Sequence, residues 1–369
     1  MTTGRQLTST LSQDGTLVLE LREKEFAAPT GNQVLVRMEA APINPSDLAL
    51  MTAAADLDHA EFAPGKATLK IHPGYAASQA ARHGKPQKVG NEGAGTVVAA
   101  GEGEMAQALI GQRVACVPGS AYAEYAYADA MMCLPLGDHS AEEGASSFVN
   151  PMTALGFVET AKREGHEAIV HAAAASNLGQ MLNRICQEDG MALVNIVRKE
   201  EQAALLRDQG ASYVVDSSDD NFEKQLATAI DETKAFLGFD PIGGGQITDI
   251  CLRAMERVAA ADMTEFSRYG SDQAKKMYIY GRLDPSPTIL TPTYGFGWTV
   301  SGWLLTPFLS SCDLSTMMGL RQRVLDNLTT TFASSYKTRI GLEEMLTEDA
   351  MRGYAQMATG EKYLVTPHG

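Results

Sequence analysis

The feature that most restricts this chain is a regular alternation of strand and helix patterns from about residue 167 to 280. Short apolar segments ("EAIVHAAAA", "ALVNIV", "SYVVD", "AFLGFDPI", "KMYIYG") take turns with amphipathic ones ("LGQMLNRICQEDG", "EEQAALLRDQG", "NFEKQLATAIDETK", "QITDICLRAMERVAAA"). Such alternation buries a parallel sheet beneath helices on both faces. Gly190 and Gly210 stand just past two of the helical patterns, where a helix ends most easily. The first ~150 residues read differently: "QVLVRMEAAPI", "GAGTVVAAG" and "QRVACVP" have strand patterning punctuated by Gly and Pro, which predicts a β-rich domain. Residues 52–88 show no clean period, and "HPGYAASQAARHGKPQK" reads as a loop over the surface or over a site. Ala259–Lys276 is longer than a usual connection, and from about Trp303 the chain is helix-rich before a short "EKYLVTP" strand. At 369 residues the chain is expected to form two domains, because single cores stop growing near roughly 250–300 residues.

The formal charge of −15 argues against nucleic acid and against an anionic membrane surface as partners, since both are negative themselves. No window approaches the ~20 apolar residues of a membrane helix. The N-terminus has no apolar signal region. The five cysteines are scattered without a C-x-x-C pair, which reads as reduced thiols and places the protein in the cytoplasm.

After the strand "EAIVH" the chain continues Ala172-Ala-Ala-Ala-Ser-Asn-Leu-Gly179. Set against G-x-G-x-x-G, the glycine slots hold Ala174, Ser176 and Gly179. Small residues still let backbone N–H groups approach a diphosphate at a helix N-terminus, so Ala174, Ser176, Asn177, Leu178 and Gly179 are the candidate coenzyme turn. The ribose-reading residue is expected about 20 residues on, at the end of the second strand. Nineteen residues past Gly179 stands Arg198, followed by Lys199. An acid there would accept bonds from a 2′-hydroxyl, whereas arginine forks onto a 2′-phosphate. Glu200 and Glu201 fall past the strand, where they open the next helix. The expected coenzyme is therefore NADP(H).

The chain resembles the medium-chain dehydrogenase/reductases, specifically the zinc-free branch of quinone oxidoreductases and trans-2-enoyl thioester reductases. The resemblance runs from about residue 33 to 305 and rests on "APINPSDL", "VGNEGAGTVV", "GQRV", "AYAEYAYAD", "NPMTAL", "ASNLGQ" and "VSGWLLT". It implies an α/β protein with a GroES-like catalytic domain (residues 1–150 and 306–369) and a Rossmann NADP-binding domain (151–305), the active site lying in the cleft between them. It also implies a homodimer paired near residues 295–305. Zinc members carry a cysteine and a histidine where this chain has the "INPSD" and "GNEG" segments, with Asn44 and Asn91, and residues 95–130 contain only Cys116. These are poor zinc ligands, so no metal is expected.

Without a Lewis acid, alkoxide chemistry is hard to support, whereas hydride addition to an activated C=C bond or a quinone needs only hydrogen-bond donors and a proton source. Asn44 is the first candidate for a polar group at the nicotinamide and substrate oxygen; a turn-forming Asn before Pro45 is the alternative. The resemblance implies a tyrosine between "NPSD" and "GNEG" as proton donor, and Tyr75 is the only one in that interval, though the spacing exceeds the family pattern. It also implies that Asn150 and Thr153 sit beside the nicotinamide ribose and phosphates, and that Gly243, Tyr280 and Gly281 approach the coenzyme; helix capping and strand-end turns are the competing explanations. The small-molecule substrate is expected to be an enoyl thioester or enone. A quinone is the alternative, and a non-catalytic NADP(H)-binding sensor or structural protein is the second.

Overall fold

The computed structural model describes residues 2–52, 54–356, 360 and 362–369. The chain divides into two compact units, residues 1–149 with 323–369 and residues 150–322. Among the described residues no helix is long and apolar enough to cross a membrane.

The first unit is the β-rich, GroES-like one, built from two sheets. In one, Thr2–Leu11 and Thr16–Phe26 form an antiparallel hairpin, flanked by Lys66–Ile71 and Ala55–Ala63 on one side and Gln87–Lys88 on the other. In the other, Gln33–Pro42 pairs with Gly93–Ala100, Tyr125–Asp129 and the late strand Tyr363–Val365, so residues far apart in the chain share one sheet. Leu7, Leu19, Val34, Val36, Met38, Leu69, Val114 and Val365 are among the buried side chains of the shared core.

Residues 52–88 are not the loop expected from their lack of period. They fold as a hairpin, Ala55–Ala63 with Lys66–Ile71, turning at Pro64-Gly65, followed by the helix Pro73–Ser78 and the helical turn Ala80–Arg82. Ala55–Ala63 is an edge strand that buries none of its residues fully, and a register shift between Asp56 and Glu61 breaks its apolar alternation (Ala55 and Leu57, then Ala60 and Phe62). The helix is capped by His72, whose ring accepts the Gly74 N–H at 3.2 Å.

The second unit carries six parallel strands in the order Tyr213–Asp216, Ala192–Val197, Ala168–His171, Leu237–Asp240, Lys275–Ile279 and Trp298–Gly302. This is the doubly wound arrangement expected from the alternation, with the topological switch beside Ala168–His171. The helices Asn177–Asp189, Glu200–Asp208, Phe222–Thr233 and Ile247–Ala261 lie between successive strands.

The segment after Ala261 is held by a buried cluster: Lys275 Nζ lies 2.6 Å from Glu256 Oε2, and Glu256 Oε1 accepts the Ser271 N–H at 2.9 Å. The second boundary expected at 305/306 falls instead at 322/323. Trp303 stacks on Phe308 at 5.5 Å and its indole N–H donates to Thr160 Oγ1 at 3.1 Å, so the chain beyond Trp303 packs on the helix Val149–Arg163.

Candidate functional site

In the parallel-sheet unit, the small-residue turn follows the strand Ala168–His171 directly. Ala174 N–H donates to Ile196 O at 3.0 Å and Ser176 N–H to Ala173 O at 3.0 Å. Ser176 caps the helix Asn177–Asp189, its hydroxyl accepting the Gly179 N–H at 3.1 Å. The helix's opening N–H groups, that of Leu178 among them, have no acceptor within the helix. A Cβ on Gly179 would sit 2.1 Å from the Ala174 carbonyl oxygen, so only glycine seats this helix against the turn. Ala173 adopts φ +50°, a left-handed conformation that alanine rarely takes and that the sequence does not announce. A tight small-residue turn feeding a helix N-terminus fits a diphosphate.

Ala174 and Ala175 pack with Val197, Ala203 and Leu206, which holds this turn beside the end of the second strand. Arg198 and Lys199 are exposed there. The Arg198 backbone N–H donates to Gln202 Oε1 at 3.1 Å, and neither Arg198 nor Lys199 has an ion-pair partner among the described residues. Glu200, the nearest acid in sequence, is paired with Arg207 at 2.8 Å. Two unopposed cations next to a diphosphate-shaped turn suit an additional phosphate.

Two further strand ends interlock. A Cβ on Gly281 would meet Pro241 O at 2.5 Å, and Gly243, at φ +76°, faces Gly281 O at 2.7 Å from its would-be Cβ. Asp240, wholly buried between them, accepts from Ile242 N–H at 2.7 Å and Thr248 Oγ1 at 2.8 Å; burial raises its pKa. The Tyr280 hydroxyl lies 2.8 Å from Nε2 of His171, and Phe157 meets the Tyr280 ring edge-on at 4.7 Å. Burial pushes His171 down to about 3, so the imidazole is neutral. His171 was singled out by no spacing in the sequence, because its partner comes from a strand far along the chain. Asn150 and Thr153 lie in the first turn of the helix Val149–Arg163, half-buried and buried respectively.

In the β-rich unit, Asn44 precedes the helix Pro45–Met51 and is buried. Its Nδ2 donates to Glu92 Oε1 at 2.8 Å, while its Oδ1 has no partner. Glu92 Oε2 accepts the N–H groups of Phe148 and Val149 at 2.9 and 2.8 Å. Asp47 accepts from Asn44 N–H at 2.9 Å and Asn91 N–H at 2.8 Å, and burial pushes it up to about 6. Asn91 Nδ2 donates to Ser46 Oγ at 2.9 Å. The positions that would supply zinc ligands are thus joined in a hydrogen-bond cluster.

Lys362 completes this cluster, and nothing in the sequence marked it. Its Nζ donates to Ser146 Oγ at 2.7 Å, and Tyr336 donates to the same oxygen at 2.8 Å. Burial pushes Lys362 down to about 8 against the charges of Glu92 and Asp47. Tyr75 is placed separately from Asn44: its hydroxyl donates to Ala49 O at 3.4 Å, roughly 7 Å further along the helix that Asn44 precedes. It packs half-buried against the core.

A β-rich unit of this kind and a doubly wound parallel sheet make up the two-domain architecture found in dehydrogenases and reductases. Residues 30–138 match the alcohol dehydrogenase GroES-like domain. Over 244 residues the chain is 25% identical to the mitochondrial enoyl-[acyl-carrier-protein] reductase of Bos taurus, covering 64% of this chain and 59% of that protein. Over 164 residues it is 29% identical to a quinone oxidoreductase of Pseudomonas aeruginosa, covering 43% of this chain and 50% of that protein. The match therefore spans only half to three fifths of each of these relatives. A solved structure assigned as an NADPH:quinone reductase of Mesorhizobium loti superposes with TM-score 0.74 at 25% identity, over 100% of both chains. The chain is thus similar to quinone oxidoreductases and enoyl reductases, and these likenesses together support the medium-chain dehydrogenase/reductase superfamily.

Proposed function

We propose that the protein is a metal-independent, NADPH-dependent reductase of an activated C=C bond, in an enoyl thioester or an enone. The observation that carries the reading is the pair Arg198 and Lys199, exposed and unopposed at the end of the second strand beside a turn that only glycine at 179 can close. Kinship with the enoyl reductase and with the NADPH:quinone reductase supports the coenzyme and the reaction class.

In this reading Arg198 and Lys199 hold the 2′-phosphate. The turn Ala174–Gly179, with Asn177 and Leu178 at the helix start, holds the diphosphate. Asn150, Thr153, Gly243, Tyr280 and Gly281 line the nicotinamide half. When bound, the coenzyme supplies the hydride. Because Asn44 Nδ2 is committed to Glu92, its unpartnered atom is the acceptor Oδ1. That atom suits an incoming N–H or O–H donor better than a developing oxyanion, which needs donors. Tyr75, whose bond to Ala49 is long, can release its hydroxyl to deliver the proton.

The second reading, a quinone reductase, draws on the full-length likeness to the Mesorhizobium loti structure. NADPH consumption measured in parallel with a crotonyl thioester, cyclohexenone and a naphthoquinone separates the two. Tight NADPH binding with no consumption in any arm would establish a binding protein instead, and activity abolished by a chelator would overturn metal independence. We further assign the protein to the cytoplasm and to a homodimer formed along the edge strand Trp298–Gly302, which pairs on one side with Lys275–Ile279. Sedimentation at monomer mass over micromolar concentrations would refute the dimer.

A further inference from the structure

The β-rich unit holds a cation that none of the roles above uses. Arg82, in the turn Ala80–Arg82, is only 8% exposed, and its Nε and Nη1 atoms are buried without a hydrogen-bond partner. Arginine stays charged in proteins, and an unpaired buried charge is one of the costliest groups a fold can carry. Such a group calls for a partner, and none is present among the described residues.

Three observations say what kind. Leu11 and His83 form a parallel bridge and Gly84 N–H donates to Leu11 O at 2.8 Å; one residue back on each side stand Thr10 and Arg82. Thr10 Oγ1 is also buried without a partner. A guanidinium and a hydroxyl without partners, at backbone positions one step from the Leu11–His83 bridge, are groups that one oxyanion could satisfy. Second, residues 62–91 contain no Asp or Glu and carry Arg82, Lys85 and Lys88, besides Lys66 and a Lys70 that Asp14 approaches at 3.6 Å, in a chain of net charge −15. Lys85 and Lys88 are exposed and have no ion-pair partner among the described residues. A local positive field in an acidic protein concentrates anions there. Third, the His83 ring is fixed on Ala76 O at 2.9 Å, which ties this turn to the helix Pro73–Ser78 that carries Tyr75.

We propose that Arg82, with Thr10 beside it, forms a binding site for a small oxyanion, a phosphate or a carboxylate group, next to Tyr75. The site goes beyond the reductase reading and stands without it, because its test needs no turnover.

The test is thermal unfolding of the full chain at constant ionic strength, titrated in parallel with inorganic phosphate and with crotonate to tell phosphate from carboxylate. Wild-type protein should gain about 3 °C or more at saturation with one of them. Arg82→Met should show no gain and, without anion, should melt no lower than wild type. Arg198→Ala should keep the full gain, which separates this site from the one assigned to the coenzyme phosphate. If Arg82→Met does not fold, Arg82→Gln must lose the gain. A flat wild-type response to both anions, an undiminished gain in either Arg82 variant, or loss of the gain in Arg198→Ala overturns the proposal.

Discussion

His171 Nε2 and the Tyr280 hydroxyl are 2.8 Å apart, and their rings lie nearly parallel with centroids separated by 5.9 Å. The pair links the first and fifth strands of the parallel sheet in chain order, on the side where Phe157 packs against both rings. His171→Leu leaves the Tyr280 hydroxyl without its partner, at a cost of roughly 1–3 kcal/mol. The double variant with Tyr280→Phe should cost less than the sum of the singles in a denaturation cycle; strict additivity would show the pair is not coupled. With its pKa near 3, His171 should show no titration step between pH 5 and 8 in an NMR series.

Lys362 and Glu92 should prove interdependent. Burial raises the Glu92 pKa and the Lys362 charge counters that rise. Lys362→Met removes the counter-charge, so Glu92 becomes harder to ionise. The variant should lose more stability at pH 7, where wild-type Lys362 is still charged, than at pH 5. Equal losses at both values would remove the coupling.

Asp47 gives a pH dependence with a definite sign. Its folded pKa of about 6 lies above the ordinary 3.8. Between those values the folded chain holds a proton that the unfolded chain has released. Its contribution is therefore fully present below about pH 4 and is lost as pH rises through 6, by about 3 kcal/mol at most. The stability difference between wild type and Asp47→Asn should shrink or reverse in that direction across pH 4 to 7. A difference that grows with pH would contradict the assignment.

Gly179→Ala is expected to be severe for so small a change. The added methyl would stand 2.1 Å from Ala174 O, a backbone atom that cannot swing aside. A loss of about 1–3 kcal/mol from overpacking, with weakened NADPH binding, should appear in melting and fluorescence titration. Unchanged coenzyme affinity would mean the turn does not hold the diphosphate.

Arg198→Asp should weaken NADPH by roughly 10- to 100-fold while leaving NADH nearly unaffected, the loss of one charge-assisted contact plus repulsion. Dissociation constants for both coenzymes decide it. Equal weakening of the two would remove Arg198 from its role.

The parallel sheet was legible because helix and strand periods are local and repeat along the chain. Gly179 and Arg198 are proposed on the same ground: the strand–turn–helix–strand unit fixes their separation by count alone. The hairpin at residues 55–71 was not found, since a register shift breaks the apolar alternation of its edge strand, although Pro64-Gly65 marks its turn. The boundary near 322 depends on Trp303 and Phe308 packing back onto the helix Val149–Arg163, which no local pattern records.

By itself the sequence determined the two kinds of domain and pointed to the turn and the cation proposed for the coenzyme. Only the tertiary structure joined His171 to Tyr280, Asn44 to Glu92 and Lys362 to Ser146, and left Arg82 without a partner. The physical reason is burial. A side chain's period shows which face it occupies, but which polar groups become desolvated together depends on strands that meet across long stretches of chain.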